Sequence, residues 1–360
     1  MLSTLPSESK EFAGVSQAQA LLVTFEVVQC AGIPIWNSGA GPLIFLMPMS
    51  KKIEERIRQL RQLRTVAASE ESDSILLKAL QDKSGVLVAE AAKTVGESHR
   101  PQWIPDLLSA YARMFDTPVR TDPKCFAKTA ILKALTALDY EESAPFIKGS
   151  THIQMEPVFG GQEDSAPPLR ACAILALVQC TDLTRPEILR RLVDALADKS
   201  DTVRVEAVRA LEQMNGDEAS LVLRLKAHDG DSRSAVLGQV FDSIIQLEQD
   251  RGVQFVAQFL NSPNPETRDE AALALGACRR PEAIRFLMAA WQASRDSLVL
   301  RALSSSREES ALKFLLDLVR DGVTRDSAAA REALSLHSDS PEIQARLEQA
   351  EKDRPDGFCR

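Results

Sequence analysis

The sequence is poor in the residues that build most active sites. It has four histidines, none followed by glutamate, and no HExxH helix, so the common helical metal motifs are absent. Its six cysteines form no CxxC pair, which removes zinc-ribbon and thioredoxin-like readings and favours a reducing, cytoplasmic setting. No GxxxxGK[ST] phosphate loop and no GxSxG elbow occurs. Aromatics are 5%, while Ala, Leu, Glu and Arg dominate, a bias toward helix because unbranched side chains lose little freedom there. The net charge of -8 argues against a general nucleic-acid binder. No uninterrupted apolar run reaches membrane length. From these absences the expectation is no catalytic motif, no metal and no cofactor.

What is present is a repeat. The stretches DKSGVLVAEAAKTVG (82–96) and DKSDTVRVEAVRALE (198–212) are similar, and five twelve-residue windows stack without gaps from Gly85, Cys125, Pro167, Asp201 and Pro265. Their fourth positions are Val88, Lys128, Arg170, Arg204 and Arg268. Their seventh are Ala91, Ile131, Ala173, Ala207 and Ala271. A small residue followed by Leu or Val fills positions ten and eleven, as in Ala210-Leu211, and the beat continues at Ala302-Leu303 and Ala333-Leu334. The interval between the last two windows is twice the usual one, and a diverged unit around Ser220–Leu247 fills it. Small residues let helices approach closely while Leu and Val fill the seam. One helix pair cannot bury its apolar face alone, so the pairs stack, and the predicted class is an all-α, right-handed solenoid.

The unit resembles the HEAT repeat, in particular the bacterial HEAT-like repeats of the phycobilin-lyase type. The resemblance is carried by the loop aspartate Asp198, Val203-Arg204, Ala207 and Ala210-Leu211, and covers roughly residues 69–336. It implies that Asp198 with Arg170, Arg204 and Arg268 forms a structural ladder between units. It speaks for fold more than for function, because this repeat serves scaffolds, adaptors and a few enzymes. The His-Glu pairs that bind iron in HEAT-like deoxyhypusine hydroxylases are absent. Trp103 and Trp291 stand far apart in first helices, where packing is expected rather than the aromatic cluster of HEAT-like DNA glycosylases. His99, His228 and His337 are expected to be solvated or capping residues, and Cys172 and Cys180 small core residues.

The chain divides into an extension (1–48), a basic capping helix (49–68), the solenoid (69–345) and a polar tail (346–360). The fresh start at MSKKIEERIRQLRQLR suggests translation from Met47 or Met49 rather than Met1. Helix 51–64 carries six basic and two acidic side chains on an amphipathic pattern, Ile53, Ile57, Leu60 and Leu63 with Val66 continuing. It reads as a cap on the first repeat, with binding of an acidic partner or nucleic acid as the alternative.

Two loops break the beat, at 115–126 and 149–168. They fall in successive units and should project side by side from one edge. In the second, Thr-His-Ile-Gln-Met-Glu alternates polar and apolar, which suggests a short extended piece, and Pro167-Pro168 opens the next helix. One expectation is a lid, with Ile153, Met155, Val158 and Phe159 packed onto the core. The other is a binding edge: a titratable pair His152 and Glu156, positive charge from Lys124 and Lys128, polar Gln154 and Asp164, and close backbone approach at Gly160 and Gly161. The leading function is a scaffold or adaptor that binds a protein partner through the concave groove and this edge. The alternatives are a bilin-lyase-like or other enzyme at the loops, or nucleic-acid binding. The oligomeric state is not written in the sequence.

Overall fold

The computed structural model describes residues 51–65 and 69–355. The expectations for residues 1–48, for the start codon and for Val66 lie outside the described residues. Eight helix pairs follow one another. They are α2 (Glu70–Leu80) with α3 (Gly85–Glu97), and α4 (Ile104–Arg113) with α6 (Phe126–Ala137), the short α5 (Pro118–Thr121) lying between them. Then come α7 (Ala144–Ser150) with α8 (Pro167–Ala176), α9 (Arg185–Ala195) with α10 (Asp201–Met214), and α11 (Asp217–Asp229) with α12 (Ser234–Glu248). The last three are α13 (Asp250–Ala257) with α14 (Pro265–Ala277), α15 (Pro281–Ser294) with α16 (Ser297–Ser306), and α17 (Glu309–Asp321) with α18 (Thr324–Leu334). The diverged unit expected around Ser220–Leu247 is the α11/α12 pair.

The second helices of consecutive pairs pack against one another from α3 to α18 in an unbroken row. The repeat register explains why. All five seventh positions, Ala91, Ile131, Ala173, Ala207 and Ala271, are fully buried, as are Leu211, Leu275, Leu303 and Leu334 at the eleventh. A β-carbon at Gly96 would stand 3.0 Å from Ala134 Cα of the neighbouring second helix, so glycine there permits the close approach. The result is an all-α solenoid whose core is a seam running along the row.

The row is closed at its amino end by α1 (Lys51–Gln62), which packs on α3 and buries Ile57, Leu60 and the following Leu63. Four of the six basic side chains in residues 51–64 are paired. Arg56 meets Asp82, Arg58 meets Glu55, and Arg61 and Arg64 both reach the buried Glu90. At the other end the helix α19 (Pro341–Lys352) packs on α17, and Arg346 pairs with Glu309. The polar tail therefore begins later than residue 346, because Leu347 and Ala350 give α19 an apolar face to bury. His337 also departs from expectation. It is buried and bonds Ser304 O at 2.9 Å, so it ties α16 to the turn after α18. Trp103 and Trp291 are buried packing residues. Among the described residues no helix is long and apolar enough to cross a membrane.

Replacing Ala207 by Phe should force the row apart between α10 and its neighbours, at a cost of about 1–3 kcal/mol. Urea unfolding of the two proteins measures it, and equal stability would mean that the seam does not pass through this position.

Candidate functional site

Both interrupted loops are built around the residue that closes an ordinary turn. In three of the regular units an aspartate, Asp82, Asp198 or Asp231, sits six positions before the ladder position, as Asp198 does before Arg204. Its carboxylate accepts the backbone N–H two residues on: Ser84 for Asp82, Ser200 for Asp198 and Arg233 for Asp231. It also receives a guanidinium from the unit before. Arg170 grips Asp198 through Nε and Nη2 at 2.8 and 3.0 Å, and Arg204 grips Asp231 at 2.8 and 2.7 Å. Such two-pronged, charge-assisted bonds fix distance and orientation together. Burial opposes the charge on Asp231, but bonds from Arg204, Lys226 and the Arg233 N–H hold its carboxyl at about 2. Arg268 stands apart, donating instead to Ser262 O at its own turn, 2.9 Å away.

The same spacing places Asp122 before Lys128 and Asp164 before Arg170. Asp122 accepts the N–H groups of Ala127 and Lys128 at 2.7 and 3.0 Å, capping α6, and pairs with Lys128 Nζ at 3.0 Å. Neither side chain of the pair is exposed at all. Lys128 therefore contributes no positive charge to the loop surface, contrary to the sequence expectation. It occupies the ladder position, and its ammonium is held between Asp122 and Met114 O. Asp164, expected among the binding groups, likewise serves the turn. It accepts the Gln154 and Ala166 N–H groups and pairs with Arg170 at 2.7 Å.

The long segment between α7 and α8 folds as a hairpin of β1 (Met155–Val158) and β2 (Gly161–Asp164). Gly160 takes φ +90 in the turn, a conformation open to glycine at no steric cost. The base of the hairpin is tied to the first loop. Glu156 Oε1 accepts the Lys124 N–H, Gln154 Nε2 and Ser165 Oγ, each at 2.6 Å. Gln154 is buried and also donates to Asp122 O at 2.9 Å, while its Oε1 faces His152 Nε2 at 3.2 Å. His152 packs edge-on against Phe115, over whose ring Lys148 Nζ lies at 3.8 Å. The two loops thus touch, and His152 and Glu156 meet only through Gln154.

The electrostatics match a structural knot. Burial opposes the Glu156 charge, yet its bonds with Ser165, Gln154 and Lys124 hold the carboxyl below its ordinary value. Burial pushes His152 below its ordinary value despite the bond to Gln154, so a neutral ring donating from Nε2 satisfies Gln154. Burial raises the Cys125 thiol to about 12, against the attraction of Lys128, which leaves it a poor nucleophile. A cleft of about 730 Å³ exists, but between the turns at 215–217 and 247–251, lined by Arg224 and Glu248 among others, away from these groups in the chain.

The lid expectation fails at the tip. Ile153 is 65% exposed, Met155 45%, Val158 46% and Phe159 109%. A two-stranded hairpin has no second layer to bury its side chains against, so they stand in solvent with Gly160 and Gly161. Sequence reasoning passed over Asp122, which the six-residue spacing marks. It also passed over Ser165 and Phe115, which no spacing marks.

The family model for HEAT repeats matches residues 224–303 and again 253–335. Residues 224–335 thus carry HEAT repeats. The loop edge lies outside the matched residues, in upstream units built as the same helix pairs. None of the curated proteins matches the chain. Among solved structures, the Escherichia coli protein YibA is similar at 14% identity, over 83% of this chain and 97% of that one, with a TM-score of 0.43. Human deoxyhypusine hydroxylase in complex with glycerol is similar at 22% identity, over 81% and 100%, with a TM-score of 0.27. An engineered protein is similar at 16%, over 85% and 96%, with a TM-score of 0.30. Among the described residues no group of three His, Cys, Asp or Glu side chains is placed to hold a metal ion.

Two substitutions test the knot. Asp122→Ala leaves the Lys128 ammonium buried without a counter-charge and should cost about 3–5 kcal/mol in urea unfolding. Adding Lys128→Met should recover part of that loss but not all, since two N–H groups of α6 stay uncapped. Glu156→Ala removes the shared acceptor of three donors at once and should cost about 1–3 kcal/mol, with faster amide exchange over residues 153–165. A thermal midpoint equal to wild type would make Glu156 the loosely held surface group that its sequence context suggests.

Proposed function

We propose that this HEAT-repeat chain is a non-catalytic scaffold that binds a protein partner. Its recognition surface is the hairpin edge together with the groove along the second helices. One observation carries the reading. The hairpin is fixed at its base by a fully bonded polar network, and it holds four large apolar side chains in solvent. Exposed apolar groups grouped on a rigid projection mark interaction sites. A loop serving only as a connection has no reason to retain them, because closure entropy grows slowly with length and a shorter turn would serve as well. Protein binding is also the common use of a HEAT array.

The rival readings lack such support. An enzyme at the loops needs titratable groups converging on a pocket, whereas His152, Glu156 and Lys128 are each engaged by neighbours. Nucleic-acid binding by the basic segment 51–64 needs free cations, and four of its six are in ion pairs.

The test is affinity capture with the full chain and with a Val158→Asp/Phe159→Asp variant. The variant should keep the wild-type thermal midpoint, since both side chains are exposed, and should lose the protein that wild type captures. If the variant retains the same partner in the same amount, the hairpin is not the recognition surface.

A further inference from the structure

The hydrogen-bond alternation of the hairpin decides which of its rims can accept another chain. Ser165 N–H donates to Gln154 O at 2.9 Å, so residues 154 and 165 form a bonded pair. The register continues as Met155 with Asp164, Glu156 with Glu163, Pro157 with Gln162 and Val158 with Gly161. Bonded and non-bonded pairs alternate in an antiparallel ladder. Glu156, Glu163, Val158 and Gly161 therefore bond inward, and Met155, Pro157, Gln162 and Asp164 turn their backbone groups outward. On the β1 rim Pro157 has no N–H to offer, which blunts that edge. On the β2 rim Gln162 and Asp164 each present both N–H and C=O, and Gln162 is exposed. Among the described residues the sheet ends there, with two strands.

A second misfit lies on one face of the sheet. Glu156 and Glu163 are directly opposite each other, and like charges so placed repel. Glu156 is held by three donors. Glu163 is exposed and forms no ion pair with the described residues.

We infer that the outer rim of β2 docks an extended, cation-bearing segment of a protein partner as a third strand. This rests on the reading of the hairpin as a recognition surface, and it names what is recognised. Outward N–H and C=O groups supply the main-chain bonds of strand addition. A lysine or arginine opposite Glu163 turns the repulsion on that face into an attraction. Val158 on the same face, and Met155 on the other, offer apolar neighbours to alternate side chains. The same charges reject other occupants. Antiparallel pairing of two copies with Gln162 opposite Asp164 would set Glu163 against its counterpart, and an anionic lipid surface would repel both glutamates.

The probe is an acetylated octapeptide of alternating valine and lysine, titrated into the full-length ¹⁵N-labelled chain. The amide resonances of Gln162 and Asp164 should shift. Glu163→Gln should weaken binding by up to about fivefold, and Glu163→Lys should transfer the preference to an alternating valine–glutamate peptide. Gln162→Pro removes one outward N–H without touching the inward ladder, so it should abolish binding while the thermal midpoint holds. No shift at millimolar peptide, or undiminished binding by Gln162→Pro, overturns strand docking. If the Val158→Asp/Phe159→Asp variant loses its captured partner while Gln162→Pro keeps it, the recognition surface stands and strand docking alone falls. If neither variant changes capture, both readings fall together.

Discussion

The turn aspartate that recurs at Asp82, Asp122, Asp164, Asp198 and Asp231 is the constraint on which the rest of the structure depends. It does two jobs with one carboxylate: it accepts the N–H groups that start a second helix, and it accepts a cation that positions a neighbour. A neutral cap such as serine could do the first, and only a charged group does the second with two-pronged geometry. The apolar seam of Ala207, Leu211 and their equivalents supplies the stabilisation, but a row of alanines and leucines is permissive about sliding. The guanidinium–carboxylate pairs at Asp198 and Asp231 fix each unit relative to the next.

The loop edge is a variation on that turn. Where the sequence inserts residues, the aspartate stays six positions before the ladder side chain. The insertion is therefore forced out in front of it, as α5 in one unit and as the hairpin in the next. Substitution of lysine for arginine at Lys128 shortens the reach, so the cation pairs with the aspartate of its own turn, Asp122. What looks like a cluster of catalytic groups is this turn chemistry doubled, with Gln154 joining the two copies.

The repeat was legible because each position in the window has one environment. The seventh residue is always in the seam, so it is small or branched and always apolar, and periodicity exposes it. The extended character of Thr-His-Ile-Gln-Met-Glu was legible from its alternation. Its orientation was not, because alternation shows that two faces differ without showing which one has a layer to pack against. With only two strands neither face does, and Met155 and Val158 both end in solvent. Lys128 misled for a related reason. A lysine near a polar loop reads as surface charge, and only its spacing from Asp122, a relation shared with Arg204 and Asp198, distinguishes a buried ladder rung. His337 and Ser165 carry no such spacing, since one bonds a distant helix and the other bonds across the base of its own hairpin.

The ladder also has a direction. Arg170 and Arg204 each reach forward to a carboxylate in the following unit, 28 and 27 residues later in the chain. A boundary placed after α10 would take from the buried Arg204 guanidinium its carboxylate and leave it only the carbonyls of Asp198 and Lys199, whereas a fragment that starts at α11 leaves Asp231 still engaged with Lys226 and its own turn. The two faces of a broken solenoid are thus unequal. At this rung the forward face presents a cation that has lost its carboxylate, while the rear face keeps its carboxylate paired within its own unit.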